Sequence, residues 1–218
     1  AMRESVGRII ETLRSVRKQK KIFLFLIAFF FFIDGVYTII DMATAYGSAL
    51  GLDSTGLLLA LLVTQFVAFP FSILFGRLAE KYDTGKLILT CIAAYTGITV
   101  FAVFMKAQWQ FWVLAIFVGM FQGGIQALSR SYFAKIVPPE RSGEYFGLMD
   151  ICGKGASFMG TTVVGLASQA FGSINIGVSA IVFLFLLGAL FFMKTEHSGS
   201  ESTKNQENVI MEQQMFHD

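Results

Sequence analysis

Four ionisable residues stand where water should be scarce: Asp34, Asp41, Asp150 and Lys154 all fall within long apolar stretches of the sequence. A charge at the centre of a bilayer costs at least a few kcal/mol, so such residues face a bundle interior or a water-filled cavity. Asp34 and Asp41 are seven residues apart, nearly two helical turns, which puts both carboxylates on almost the same helix face. Asp150 and Lys154 are spaced i,i+4, the spacing at which an acid and a base pair on one face. Two chemistries are open to this set. A neutralised Asp150–Lys154 pair would lower the cost of burial and fix helix packing. Alternatively, at about 1.5 Å of rise per residue, Lys154 lies about 13 Å and Asp34 about 18 Å from the ends of their segments, so they would meet near the midplane. An Asp and a Lys that exchange partners could couple protons or cations to the movement of a solute. Gln122 and Gln126 add two amides on one face, which either bridge helices or line a solute path, while Gly119, Gly123 and Gly124 beside them read as a packing surface.

The elements that must position these residues are membrane helices. The chain of 218 residues is 55% hydrophobic and 15% charged, with 24 phenylalanines and a mean hydropathy of +0.64, a composition suited to lipid as solvent. Apolar segments at about 22–46, 56–75, 87–105, 111–131, 145–166 and 174–193 predict an all-α membrane protein with six transmembrane helices in one bundle. Pro70 predicts a kink in the second of them. Residues 1–21 place Arg3, Arg8, Arg14, Arg17, Lys18, Lys20 and Lys21 opposite Val6, Ile9, Ile10, Leu13 and Val16, the pattern of a basic amphipathic helix at a membrane surface. Residues 194–218 are polar and predict a disordered tail.

Orientation follows from the basic residues. They concentrate in the N-terminal segment, in the second loop (Arg77, Lys81, Lys86) and in the fourth (Arg130, Lys135, Arg141), against a single Lys106 in the alternate loops. The positive-inside rule therefore makes both termini cytoplasmic. The first apolar run is too long for a signal peptide, and it carries two acids. The chain opens on Ala rather than Met, which fits a truncated chain better than a natural start. A net charge of +2 makes no case for nucleic acid, and Cys91 and Cys152 have no partner spacing for a disulfide or zinc site. No phosphate-binding loop, paired-His motif or Ser-His pair is present, so neither enzyme chemistry nor a cofactor or metal is expected.

The loop Gly76-Arg-Leu-Ala-Glu80-Lys-Tyr-Asp-Thr-Gly85-Lys86 resembles the signature between the second and third helices of a six-helix half in the major facilitator superfamily. Glu80 stands where Asp is usual, and Asp83-Thr84 alter the tail of the motif. The joined pattern Gln126-Ala-Leu-Ser-Arg130-Ser-Tyr-Phe-Ala-Lys135, Pro138-Pro139-Glu140-Arg141-Ser-Gly143 and Asp150-Ile-Cys-Gly-Lys154 is similar to the vacuole effluxer-like branch and its bacterial relatives. The resemblance covers residues 22–193. It implies a twelve-helix carrier in two halves, of which this chain would be the C-terminal one, placed in a bacterial inner membrane. Asp34, Asp41, Gln122 and Gln126 would then line the cavity, with Asp150 and Lys154 near the interface between halves. Gly76, Arg77, Glu80, Lys81, Arg130, Glu140 and Arg141 would form a cytoplasmic gating network. The implied solute is small, with amino acids a candidate. The implied partners are lipid and an N-terminal six-helix half or a second copy of the chain. The alternative is a membrane interaction or assembly protein whose buried charges only hold helices together.

Overall fold

The computed structural model describes the backbone of residues 13–215 and the side chains of residues 13–198. Every regular element among them is helical: α1 (Lys20–Ala49), α2 (Ser54–Lys81), α3 (Thr84–Val103), α4 (Gln108–Ile136), a 3-10 turn (Pro139–Arg141), α5 (Ser142–Phe171) and α6 (Ile174–Met215). Short connections separate them, and side chains set the starts of α2 and α3. Asp53 accepts from the Gly56 N–H at 2.7 Å and Asp83 from the Lys86 N–H at 2.9 Å, satisfying amides that a helix start leaves orphaned. Gly172 ends α5 in the left-handed conformation, φ +67°, which glycine adopts without strain.

Five of these helices, α1, α2, α3, α4 and residues 174–198 of α6, are long and apolar enough to cross a membrane. At about 1.5 Å per residue, even the 20 residues of α3 match the roughly 30 Å hydrocarbon core. α5 has 30 residues and the necessary length, but Glu144, Asp150, Lys154 and its many Gly, Ser and Thr residues leave it short of the apolarity of the others. α2 runs unbroken through Pro70.

α1 is the central helix, packed on α5 and α6 with smaller contacts to α2, α3 and α4. Of its most apolar stretch 61% is buried, against 17% for α2, which packs chiefly on α4 and turns Leu58, Leu62, Phe66 and Phe69 outward. Phe25, Phe29 and Phe32 of α1 are buried in the core. Phe25 stacks on Tyr132 and Phe133 of α4 with ring centroids 5.2 and 5.3 Å apart, and meets Phe192 of α6 edge-on.

The expected amphipathic helix over 1–21 lies largely outside the described residues. Its last part, residues 13–18, is helical and lies against the start of α5, where Gln19 Nε2 donates to the Tyr145 hydroxyl at 3.1 Å. The tail expected to be disordered from residue 194 is instead a continuation of α6 to Met215. Loss of apolar residues after Met193 did not end the helix, because the next turn still packs. Thr195 is fully buried with its hydroxyl donating to the Phe191 carbonyl at 2.9 Å, and the Glu196 carboxylate accepts from the Tyr132 hydroxyl.

Candidate functional site

A polar cavity of about 210 Å³ opens between α1, α4 and α5, lined by Phe29 and Tyr37, Gln126 and Arg130, and Met149, Asp150, Gly153 and Lys154. Helical periodicity places the α5 and α4 contributors. Asp150 and Lys154 are one turn apart on α5, and Gln126 and Arg130 one turn apart on α4, so each helix offers one polar stripe to the same space. Arg130 Nη2 donates to Asp150 Oδ1 at 2.8 Å across the gap. This is a correction to the expected i,i+4 pair: Asp150 turns to Arg130 of the neighbouring helix, and Lys154 makes no ion pair with a described residue. The side chains of Arg130 and Asp150 are 58% and 51% exposed, so the pair is not sealed in the core.

Asp34 lies outside this cavity's lining, fully buried at the contact of α1 and α5. Its Oδ1 accepts from the Gly160 backbone N–H at 2.8 Å and from the Thr38 hydroxyl at 3.4 Å, while Oδ2 has no partner. Gly160 is required by this arrangement. A side chain there would run into the Thr38 hydroxyl and the Asp34 carboxylate. Asp41 also turns to α5, its Oδ2 accepting from the Ser157 hydroxyl at 2.8 Å. Both aspartates thus lie on one helix face, but the expected Asp34–Lys154 meeting does not occur. Gly160 is six residues beyond Lys154, about 9 Å along α5, and that is the level at which Asp34 docks.

The two glutamines part company. Gln126 lines the cavity, whereas Gln122 lies outside its lining with a buried Oε1 that has no hydrogen-bond partner. The glycines beside them bring α2 close. A Cβ on Gly119 would be 2.7 Å from the Thr64 carbonyl, and one on Gly123 would be 2.6 Å from that of Ala68.

The residues expected to form a single gating network are not brought together. Gly76, Arg77, Glu80 and Lys81 are exposed at the end of α2, with no ion pair to a described residue. Arg130 is engaged by Asp150, Arg141 bonds locally to Glu144 at 2.7 Å, and Glu140 is exposed in the 3-10 turn. The contacts that do tie this end of the bundle use other residues. Lys135 Nζ donates to the Thr84 hydroxyl at 2.8 Å, Lys21 lies 5.8 Å from the centroid of the Tyr132 ring, and Glu196 covers Gly85 at the start of α3. A carboxylate over a helix N-terminus is favoured by the exposed amides and the dipole.

Sequence reasoning missed Gly160, Tyr37 and Glu196. Thr38, one turn after Asp34, was a readable partner. Gly160 was not, because its part is played by a backbone amide. Among the described residues, no three metal-ligating side chains gather.

Residues 1–204 match the family model described as "Vacuole effluxer Atg22 like". The chain is 43% identical over 206 residues to "Uncharacterized MFS-type transporter YxiO" of Bacillus subtilis, a match covering 94% of this chain and 48% of that protein. It is 27% identical over 199 residues to "Autophagy-related protein 22" of Cryptococcus neoformans, covering 84% and 35%, and 29% identical over 189 residues to "Autophagy-related protein 22-2" of Aspergillus clavatus, covering 78% and 30%. The chain spans about half, or less, of the length of these relatives. With five helices long and apolar enough to cross a membrane, the chain belongs to the vacuole effluxer Atg22-like family.

Proposed function

We propose that this chain is the C-terminal half of a secondary transporter that moves a small solute by alternating access, with α1 to α6 as its six spans and both termini in the cytoplasm. The observation that carries the reading is the cavity holding Arg130, Asp150, Lys154 and Gln126 among membrane helices, with Asp34 buried further along the same α1–α5 contact. Charged groups are retained in a bilayer where they meet a solute, an ion or one another. Here Asp150 meets Arg130, and Lys154 remains available to a solute. The cavity is small, which suits a metabolite of amino-acid size and agrees with the effluxer name of the family.

Asp34 is the coupling residue in this reading. Its one unpartnered oxygen in a buried position calls for a proton or a cation, and its bond to Gly160 ties its state to the α1–α5 contact. The outward apolar residues of α2 and α5, among them Phe66, Phe69 and Phe158, suit a second six-helix unit, either an N-terminal half or another copy. The membrane is the bacterial cell membrane, in keeping with the Bacillus relative.

The test is amino acid flux into liposomes under an imposed pH gradient, with the chain reconstituted alone and with the N-terminal half of a full-length relative. Gradient-dependent flux should appear in one of the two preparations and be lost in Asp34→Asn and Lys154→Ala with the fold intact. Flux that is unchanged in both variants overturns the coupling assignment. Absence of flux from both preparations would favour the structural reading, in which the buried charges only hold helices together.

A further inference from the structure

On the side of α1 away from the polar cavity lies a larger space of different chemistry. Phe29 faces the cavity, and its neighbours Phe30 and Phe31 face a groove of about 760 Å³ bounded by α1, α5 and the helical residues 13–18. Its size falls within the roughly 300–1,000 Å³ of ligand sites. Its walls are aliphatic and aromatic, apart from the Cys152 thiol on α5 and two arginines, Arg14 and Arg17, at the end near the start of α1.

The wall holding these arginines is fixed by the protein. Val16 is 1% exposed, and Gln19 and Ser15 reach the Tyr145 hydroxyl at 3.1 and 3.4 Å. Both arginines are exposed, and neither pairs with a described acid. They belong to a run of five cations, Arg14, Arg17, Lys18, Lys20 and Lys21, without an acid between residues 12 and 21. Such a cluster immediately beside a membrane helix attracts anionic headgroups, and a guanidinium fork matches phosphate oxygens in bidentate fashion.

We propose that this groove is a binding site for an anionic phospholipid, with an acyl chain along Ile27, Phe30 and Phe31 and the headgroup phosphate on Arg14 and Arg17. Charge complementarity selects this occupant. An apolar peptide would leave both arginines unmatched, and a free phosphate would leave the apolar walls empty. The site is independent of the transport reading, because none of its residues lines the polar cavity.

The test is native mass spectrometry of the 218-residue chain released from nanodiscs of phosphatidylcholine containing phosphatidylglycerol. The chain should retain phosphatidylglycerol in preference to phosphatidylcholine. Arg14→Gln with Arg17→Gln should weaken retention about 30-fold, whereas Lys18→Gln, which removes a charge outside the groove lining, should change it less. Ile27→Trp obstructs the acyl-chain path without altering charge and should also weaken retention; Cys152→Phe, from the facing helix, serves if the first variant misfolds. Equal retention of the two lipids, or full retention in both folded groove-obstructing variants, overturns the proposal. Maleimide labelling of Cys152 gives a second readout, which phosphatidylglycerol should suppress in the intact chain. If labelling is unaffected by the lipid but rises when residues 1–12 are deleted, that segment is the occupant and the proposal fails.

Discussion

Between α2 and α4 the helices meet backbone to backbone: Gly119 and Gly123 lie under the carbonyls of Thr64 and Ala68, so close that no side chain fits. Between α1 and α5 they meet through carboxylates, Asp34 on the Gly160 amide and Asp41 on the Ser157 hydroxyl. The first contact depends on shape and has one arrangement. The second depends on hydrogen bonds whose strength follows the charge of an acid, so protonation or a bound cation can loosen it. In the proposed transport reading, α2–α4 is the fixed pair and α1–α5 the contact able to change, beside the polar cavity.

Substitutions break this comparison in graded fashion. The largest effect is expected from Gly123→Leu, because the Ala68 carbonyl cannot move aside as a side chain would. The loss should reach or exceed the roughly 1–3 kcal/mol of overpacked cores, read as earlier thermal exposure of the buried Cys91 thiol. Gly160→Val should cost less, about 1–2 kcal/mol, since Thr38 and Asp34 can rotate away; its signature is loss of the α1–α5 contact with α2–α4 intact, measured by cysteine crosslinking across each pair. If Gly160→Val proves the more damaging, the assignment of rigid and changeable contacts is reversed.

Asp34→Asn sharpens the contrast. The amide oxygen still accepts from Gly160, so the melting temperature should shift by the equivalent of no more than about 1 kcal/mol while gradient-driven flux is lost; Asp34→Ala leaves the Gly160 N–H without its acceptor and should lose about 1–3 kcal/mol. Smallest is Arg130→Gln, a half-exposed pair worth about 0–1 kcal/mol, whose effect should appear in solute affinity rather than in thermal stability.

Much of the molecule was legible in residue order. Apolar runs longer than a bilayer needs, broken by charged or glycine-rich turns, mark α1 to α4 and α6 because lipid imposes length and apolarity on each helix separately. The same reasoning reads α5 less well, since a helix that carries Glu144, Asp150 and Lys154 among small polar residues is shielded by neighbours the sequence does not display. The tail was misread for a related cause. Glu196 and Thr195 look like solvated residues in sequence, yet one covers the start of α3 beside Tyr132 and the other is buried.

By itself, the sequence determined that the protein is a helical membrane bundle, that Asp34 and Asp41 share a face, and that Asp150, Lys154 and Gln126 are polar groups to be housed, while Arg130 read as a loop cation. Those properties follow from periodicity and transfer energy, which act along one helix at a time. Which charge meets which was decided by tertiary structure alone. Asp150 takes Arg130 rather than Lys154, and Asp34 takes the amide of Gly160, because partner choice depends on the relative height and rotation of packed helices. A shift of six residues along α5 separates a charge pair from a hydrogen bond to the backbone, and no feature of either helix read alone fixes that register.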